Sequence, residues 1–259
     1  MGADLVIDGV SVARGELTVV RDVQLPCPAG KITVLLGANG AGKTSLLDAV
    51  AGVIPVTAGT ISLGGNAIQR LARDRRANLG LSYVEQGRSI FGALTVEENL
   101  AVVADKSTKI ERAYELFPEL KPRRKIAAQM LSGGEQQMLV LGRAIVGEPE
   151  VLLIDEMSQG LAPVIVKRLM PFVETAAKSG IAVLLVEQFA HMALRIGDQA
   201  YVLSVGSIVL QGDAKDLLNR PDEVRHAYFA GQKDGHGGVT AAANGAPAPQ
   251  KAQKGNTRE

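Results

Sequence analysis

The chain has 259 residues, of which 46% are hydrophobic and only 3% aromatic, with no tryptophan. That supports one large domain or two small ones around an aliphatic core. The formal net charge of +1 gives no electrostatic reason to expect a nucleic-acid partner, and a single cysteine, Cys27, excludes an intrachain disulfide and fits a reducing compartment. Met1 to Leu5 lacks the basic region and apolar stretch of a signal sequence. No run approaches the ~20 apolar residues that cross a bilayer, so any work at a membrane needs another chain to supply the spanning helices.

In chain order, Leu5 to Val12 and Thr18 to Leu25 alternate as strands and are expected to pair antiparallel beside a main sheet. Cys27 stands between Pro26 and Pro28 and reads as a small buried residue. Ile32 to Leu36 is an apolar run with the character of a buried parallel strand. Gly37-Ala38-Asn39-Gly40-Ala41-Gly42-Lys43-Thr44 follows and fits the phosphate-binding pattern G-x-x-x-x-G-K-[ST]. A helix from Lys43 to Ala51 comes next, with Gly52 as its C-cap. Strand, glycine loop and helix N-terminus together bind phosphate: backbone N–H groups close around the oxygens and the helix dipole favours negative charge. Lys43 reaches the same oxygens, and Thr44 offers a hydroxyl to Mg²⁺. An accidental match in a chain this long has a chance of roughly one per cent.

Gly59 to Leu63 reads as a strand closed by Gly64-Gly65, Gln69 to Ala77 as a basic helix, and Leu79 to Val84 as a strand. Thr95-Val-Glu-Glu98 is a capping box that opens a helix-rich stretch running to about Val146. Ile110 to Phe117 is helical within it, with Pro118 and Pro122 as interruptions. Val151 to Ile154 and Ile181 to Val186 are buried strands, separated by a helix from Val164 to Ser179. Tyr201 to Val205 and Ser207 to Leu210 form a hairpin at Gly206; helices follow over Ala214 to Asn219 and Asp222 to Phe229. Residues 232–259 are Gly, Ala, Asn, Pro, Gln and Lys with little to bury, a composition expected to be disordered. Strands alternating with helices predict an α/β sheet covered on both faces.

Two further stretches carry chemistry. Asp155 and Glu156 end the strand Val151 to Ile154, where side chains enter the ligand crevice of a parallel sheet. Asp155 is placed to hold Mg²⁺ and Glu156 to orient or deprotonate an attacking water. Leu131-Ser-Gly-Gly-Glu-Gln-Gln137 precedes an amphipathic helix from Glu135 to Val146, and Ser132 with Glu135 forms a second capping box. On local physics alone this is an ordinary capped helix.

These stretches, in this order and spacing, resemble the ATP-binding subunit of ABC transporters over roughly residues 4 to 230. More narrowly, Thr95 to Leu100, Leu131 to Leu139 with Gly142-Arg-Ala, Gly160-Leu-Ala-Pro163 and Val186-Glu-Gln188 are similar to importers of branched-chain amino acids, urea or amides. The resemblance implies a P-loop NTPase core sheet with an antiparallel β subdomain and a helical insertion. It sets a nucleotide-binding domain at about 4–231, the insertion at about 88–147 and a tail at 232–259. It implies ATP and Mg²⁺ as cofactors. ATP would be held by Gly37, Ala38, Asn39, Gly40, Ala41, Gly42, Lys43, Thr44 and Ser45, with Gln86. Ser132, Gly133, Gly134 and Glu135 would meet the ATP of a second subunit. Thr44, Gln86 and Asp155 would organise Mg²⁺, and Glu156, Gln188 and Lys43 would act in hydrolysis.

Several positions depart from the family pattern. Gln188 stands where a histidine is usual, an amide that hydrogen-bonds without a switchable charge. Near Arg14 the usual adenine-stacking aromatic is missing, and the Arg14 guanidinium is the candidate replacement. Glu85 and Met157 replace prolines, and Ser158-Gln-Gly-Leu161 lacks a terminal Asp. The implied partners are transmembrane permease subunits, seated by a cytoplasmic helix between the helical insertion and the sheet, a second ATP-binding subunit, expected to be a different chain in a heterodimer with a homodimer as the alternative, and, indirectly, an external solute-binding protein. The implied location is the inner face of the cell membrane. Two rivals stand beside the importer: an ATPase for export or lipid extraction, and an ABC scaffold with no role in transport.

Overall fold

The computed structural model describes residues 2–104 and 107–230; the tail at 232–259 lies outside them. Its main sheet is built from β3 (Ile32–Leu36), β6 (Leu81–Val84), β7 (Val151–Asp155), β8 (Ala182–Glu187), β9 (Gln199–Ser204) and β10 (Ser207–Asp213). The spatial order is β10-β9-β3-β8-β7-β6. Every neighbouring pair is parallel except the β9–β10 hairpin. All residues of β3, β7 and β8 are buried, as expected for strands covered on both faces. A smaller antiparallel sheet has the order β2 (Leu17–Cys27), β1 (Leu5–Arg14), β4 (Ala58–Leu63), β5 (Asn66–Ala67).

The apolar side chains sort by strand alternation into two cores. Leu35, Leu153, Leu184 and Leu203 face α1 (Lys43–Ala51) and the inner residues of the small sheet, such as Ile7 and Ile61. Val34, Leu36, Leu152 and Leu185 face the other way, into a cluster with Leu141 of α5 (Gly133–Val146) and Val173 of α6 (Pro163–Lys178). The first core also takes Cys27, whose thiol burial pushes up to about 12.

Between β6 and β7 lie α3 (Val96–Ala101), α4 (Ser107–Leu116), 3₁₀ turns at Pro118–Arg123 and Ala128–Met130, and α5. Phe117 and Leu120 anchor this stretch in the second core. Both capping boxes form: Thr95 with Glu98, and Ser132 with Glu135. The chain closes with α7 (Ala190–Ile196), α8 (Ala214–Leu218) and α9 (Pro221–Phe229).

Three differences from the sequence reading have physical causes. The helix expected from Gln69 begins only at Arg73, as α2 (Arg73–Asn78). Residues 69–72 turn instead, because Gln69 accepts from the Ile61 N–H and Arg76 bonds the carbonyls of Gln69 and Leu71. Arg76 is itself buried and donates to the Ala49 and Val50 carbonyls at the end of α1. The strand expected from Leu79 starts at Leu81, because Leu79 and Gly80 close the helix before it. Helix α7 has no side-chain cap and seven residues, too weak a local signal to read.

Because β3, β6, β7 and β8 run parallel, their carboxyl ends lie on one edge of the sheet. Gly37, Glu156 and Gln188 follow those ends directly, Gln86 comes two residues after β6, and Asp155 is the last residue of β7. Topology alone therefore gathers segments as far apart in sequence as Gly37 and Gln188.

Candidate active site

The glycine loop wraps the N-terminus of α1. The N-cap is Gly42, at φ 107°, and no side chain caps the helix. A β-carbon there would lie 2.6 Å from the Val19 carbonyl oxygen, so only glycine fits without strain. The first-turn amides of α1 are thus left to an incoming acceptor. Beside them is a cleft of about 400 Å³ lined by Val19, Asn39, Gly40, Gly42, Lys43, Thr44, Ser45, Gln86 and Glu156.

Lys43 is buried in this cleft. Its Nζ donates to the Gly37 carbonyl at 2.9 Å and the Ala38 carbonyl at 3.1 Å, and pairs with Glu156 Oε1 at 3.2 Å. The other oxygen, Glu156 Oε2, accepts from Gln86 Nε2 at 3.1 Å, and the same amide donates to Gln159 Oε1 at 3.0 Å. Phosphate oxygens entering the loop compete with Glu156 for the Lys43 ammonium. Both acceptors make charge-assisted bonds to an ammonium, so the pair with Glu156 and a bond to phosphate draw on the same group. Glu156 itself sits at φ 47°, a left-handed conformation unusual for a side chain of its size.

Asp155 is 1% exposed, and neither carboxylate oxygen has a hydrogen-bond partner. Burial pushes its pKa up to about 6; the Thr44 hydroxyl nearby pulls it down and the Glu156 charge raises it again. Two orphaned, buried, anionic oxygens beside a hydroxyl form the oxygen-rich environment a hard divalent cation requires. Asp155 and Thr44 therefore fit Mg²⁺, and Gln86 lines the same cleft as Thr44.

The structure does not bring every expected residue into this cleft. Ser132, Gly133, Gly134 and Glu135 are at the tip of α5, and none of them lines it. There Ser132 N donates to Glu135 Oε2 at 2.8 Å and Glu135 N to Ser132 Oγ at 3.3 Å. Gln188 is exposed at the end of β8 beside an apolar groove with Leu161, Pro163 and Phe189, and its carbonyl accepts from the Tyr228 hydroxyl at 3.3 Å. Arg14 reaches α1, where it pairs with Asp48 and donates to Ser45 Oγ at 3.3 Å. That tether holds its guanidinium against the helix. A larger open cleft of about 810 Å³, between residues 52–60 and 69–76, holds no carboxylate and no glycine-loop residue.

Sequence reading missed four residues near the site. Gln159 shares Gln86 with Glu156. Arg88 lies against the α5 tip, 3.0 Å from where a Gly133 β-carbon would sit. Tyr228 crosses from α9 to the Gln188 carbonyl. Glu187 is fully buried. Only Glu187 carried a signal, a charge at the end of an apolar strand.

The sequence profile described as ABC transporter matches residues 20–159. The chain is 40% identical over 233 residues to the high-affinity branched-chain amino acid transport ATP-binding protein BraG of Pseudomonas aeruginosa, which covers 88% of this chain and 100% of BraG. It is 37% identical over 213 residues to the probable branched-chain amino acid transport ATP-binding protein LivF of Archaeoglobus fulgidus, over 78% of this chain and 89% of that one. Identity to the lipopolysaccharide export system ATP-binding protein LptB of Escherichia coli is 33% over 219 residues, 82% of this chain and 90% of LptB. A solved nucleotide-free ATP-binding cassette from an ABC transporter has the same fold, with a TM-score of 0.78 at 21% identity over 87% of this chain and 98% of that one. The α/β architecture expected from the sequence is the one this likeness shows.

Proposed function

The chain belongs to the ABC transporter family as an ATP-binding subunit, and on that premise we propose that it hydrolyses ATP to drive an importer of branched-chain amino acids or related small polar solutes. The observation that carries the hydrolytic reading is the buried Lys43–Glu156 pair at 3.2 Å, set against an uncapped helix N-terminus. Phosphate oxygens of ATP take the α1 amides and the Lys43 ammonium. Glu156, released, accepts a proton from water as the water oxygen attacks the γ-phosphorus and the bond to the β-phosphate oxygen breaks. Gln86, whose amide also donates to Gln159, orients that carboxylate. Mg²⁺, held by Asp155, Thr44 and Gln86, would neutralise phosphate charge.

The α5 tip lies outside this chain's own cleft. In our reading Ser132, Gly133 and Gly134 meet ATP held by a second ATP-binding subunit, a different chain or another copy of this one. Gln188 sits at the same sheet edge and serves the γ-phosphate after closure. The assembly works on the inner face of a membrane with permease subunits; among the described residues no helix is long and apolar enough to cross one. The loop after Gln86 supports a docking role: Phe91 is 48% exposed, lies under the Arg143 guanidinium, and is bonded through its backbone to Asn99.

The test is ATP hydrolysis by the full chain and its Glu156→Gln variant, joined to radiolabelled leucine uptake in a strain lacking the gene. We expect hydrolysis to be lost in the variant and uptake to return only with the parent. Equal hydrolysis by both proteins refutes the site; restored hydrolysis without uptake of leucine or urea favours the export alternative that the LptB likeness allows.

A further inference from the structure

Besides Asp155 and Glu156 there is a third buried carboxylate, Glu187, that the hydrolytic reading leaves without a task. Glu187 ends β8 and is 0% exposed. Among the described residues no cation pairs with it. Its Oε2 accepts from Ser158 Oγ at 2.6 Å and its Oε1 from Ser158 N at 3.2 Å. Burial pushes its pKa up to about 6, the two bonds from Ser158 pull it down, and the Glu156 charge adds to the rise. An ionisable group in such a place is costly, and a leucine would fill the space without that cost.

The position of Ser158 suggests what the carboxylate does. Ser158 lies two residues after Glu156, in a turn closed by Gln159 N donating to the Glu156 carbonyl at 3.1 Å and Leu161 N to the Ser158 carbonyl at 3.2 Å. Glu156 enters this turn at φ 47°. A strained residue keeps its conformation only when its surroundings over-determine it. Two links to β8 do so here: Glu156 N donates to the Val186 carbonyl at 2.9 Å, and Ser158 is gripped twice by Glu187. Glu187 is also paired in register with Leu36, the residue before the glycine loop, and is followed by Gln188.

We propose that Glu187 is a positioning residue for hydrolysis: by holding Ser158 at both its backbone and its hydroxyl, it keeps Glu156 turned toward Lys43 and Gln86 and fixes the turn bearing Gln159 to the strand that ends at Gln188. The proposal rests on the hydrolytic role given to Glu156 above. It predicts that loss of the grip disturbs turnover and leaves ATP binding intact, because the P-loop amides do not pass through Ser158.

The experiment uses the full chain with MgATP and measures kcat, KM, ATP affinity and thermal stability for Glu187→Leu, Glu187→Gln, Ser158→Ala and the Ser158→Ala/Glu187→Leu pair, with Glu156→Gln as control. A glutamine can accept from Ser158 N and donate to Ser158 Oγ, so it preserves the grip without the charge. Misplacing a reacting group by about an ångström costs up to about a hundredfold. We expect Glu187→Leu to lower kcat about ten- to a hundredfold with KM and ATP affinity within about twofold. Glu187→Gln should restore most of that loss, and Ser158→Ala should lower kcat without adding fully to Glu187→Leu. Should Glu187→Leu fail to fold, Ser158→Ala against Glu187→Gln carries the same comparison. Parental kcat in Ser158→Ala or Glu187→Leu, or a parallel fall of kcat, ATP affinity and stability, overturns the proposal. If Glu156→Gln hydrolyses ATP like the parent, the assignment of Glu156 falls and this proposal with it; an inactive Glu156→Gln beside a fully active Glu187→Leu overturns this proposal alone.

Discussion

Asp155→Asn should make the protein more stable and useless at once. In the metal-free chain the Asp155 carboxylate is buried with both oxygens unpartnered. Its pKa is raised from 3.8 to about 6, chiefly by burial. A raised carboxylate pKa means the folded state binds its proton more tightly than the unfolded chain. The folded state is therefore free of the ionisation penalty below about pH 4 and carries all of it above about pH 6. At 1.36 kcal/mol per pH unit, the two-unit rise amounts to roughly 2–3 kcal/mol at pH 7.5. Asparagine occupies the same space and never ionises. For a domain of this size the gain is roughly 4–12 °C in Tm. The assay is thermal unfolding without nucleotide or divalent cation, repeated from pH 4 to pH 8. The variant's advantage should open between pH 4 and pH 6 and stay level above. With MgATP the order should reverse, since the parent gains binding free energy that the variant lacks. An Asp155→Asn protein that melts no higher than the parent at pH 7.5, or by a margin independent of pH, refutes the reasoning.

Arg76→Met should cost about 2–4 kcal/mol in urea unfolding, because four carbonyls, including two at the end of the P-loop helix, lose a charged donor. Native Cys27 should resist a thiol reagent at pH 8 and react only on unfolding, as its thiol is buried and its pKa pushed up to about 12; rapid labelling of folded protein would contradict this. Thr95→Ala and Ser132→Ala remove equivalent caps and should each cost about 1 kcal/mol of stability. Only Ser132→Ala should also slow ATP turnover in the assembled transporter; equal rates for the two would mean the α5 tip is only a capped helix.

What was legible in the sequence was whatever depends on near neighbours. The run Ile32 to Leu36, the glycine loop and the stop at Gly52 specify strand, turn and helix locally, and β3 and α1 have the predicted ends. Both capping boxes were readable for the same reason. Residues 69–72 were not, because the turn there is held by Arg76 and by Ile61 of another strand. The burial of Arg76 could not be read either, because nothing local reveals that the C-terminus of α1 lies against it. Within the site, Lys43, Asp155 and Glu156 could be placed by type and strand position. The bonds of Gln86 to Gln159 and of Glu187 to Ser158 join segments 73 and 29 residues apart and exist only once the sheet has formed.

The two helix tips differ in what they leave available. At α5 the Ser132 and Glu135 amides are used by the capping box, so Gly133, Gly134 and the Ser132 hydroxyl proton are the donors that remain nearby. At α1 no side chain takes a first-turn amide, and Lys43 adds a full positive charge. An anion gains more from the α1 site, where unclaimed amides, the helix dipole and an ammonium act together in a cleft. The α5 tip is too weakly furnished to hold ATP alone. It can add to an ATP already seated, which suits a second subunit closing over the first. Binding then precedes closure, and the contribution of Ser132 should be visible in turnover and in subunit association more than in the affinity of the isolated chain for ATP.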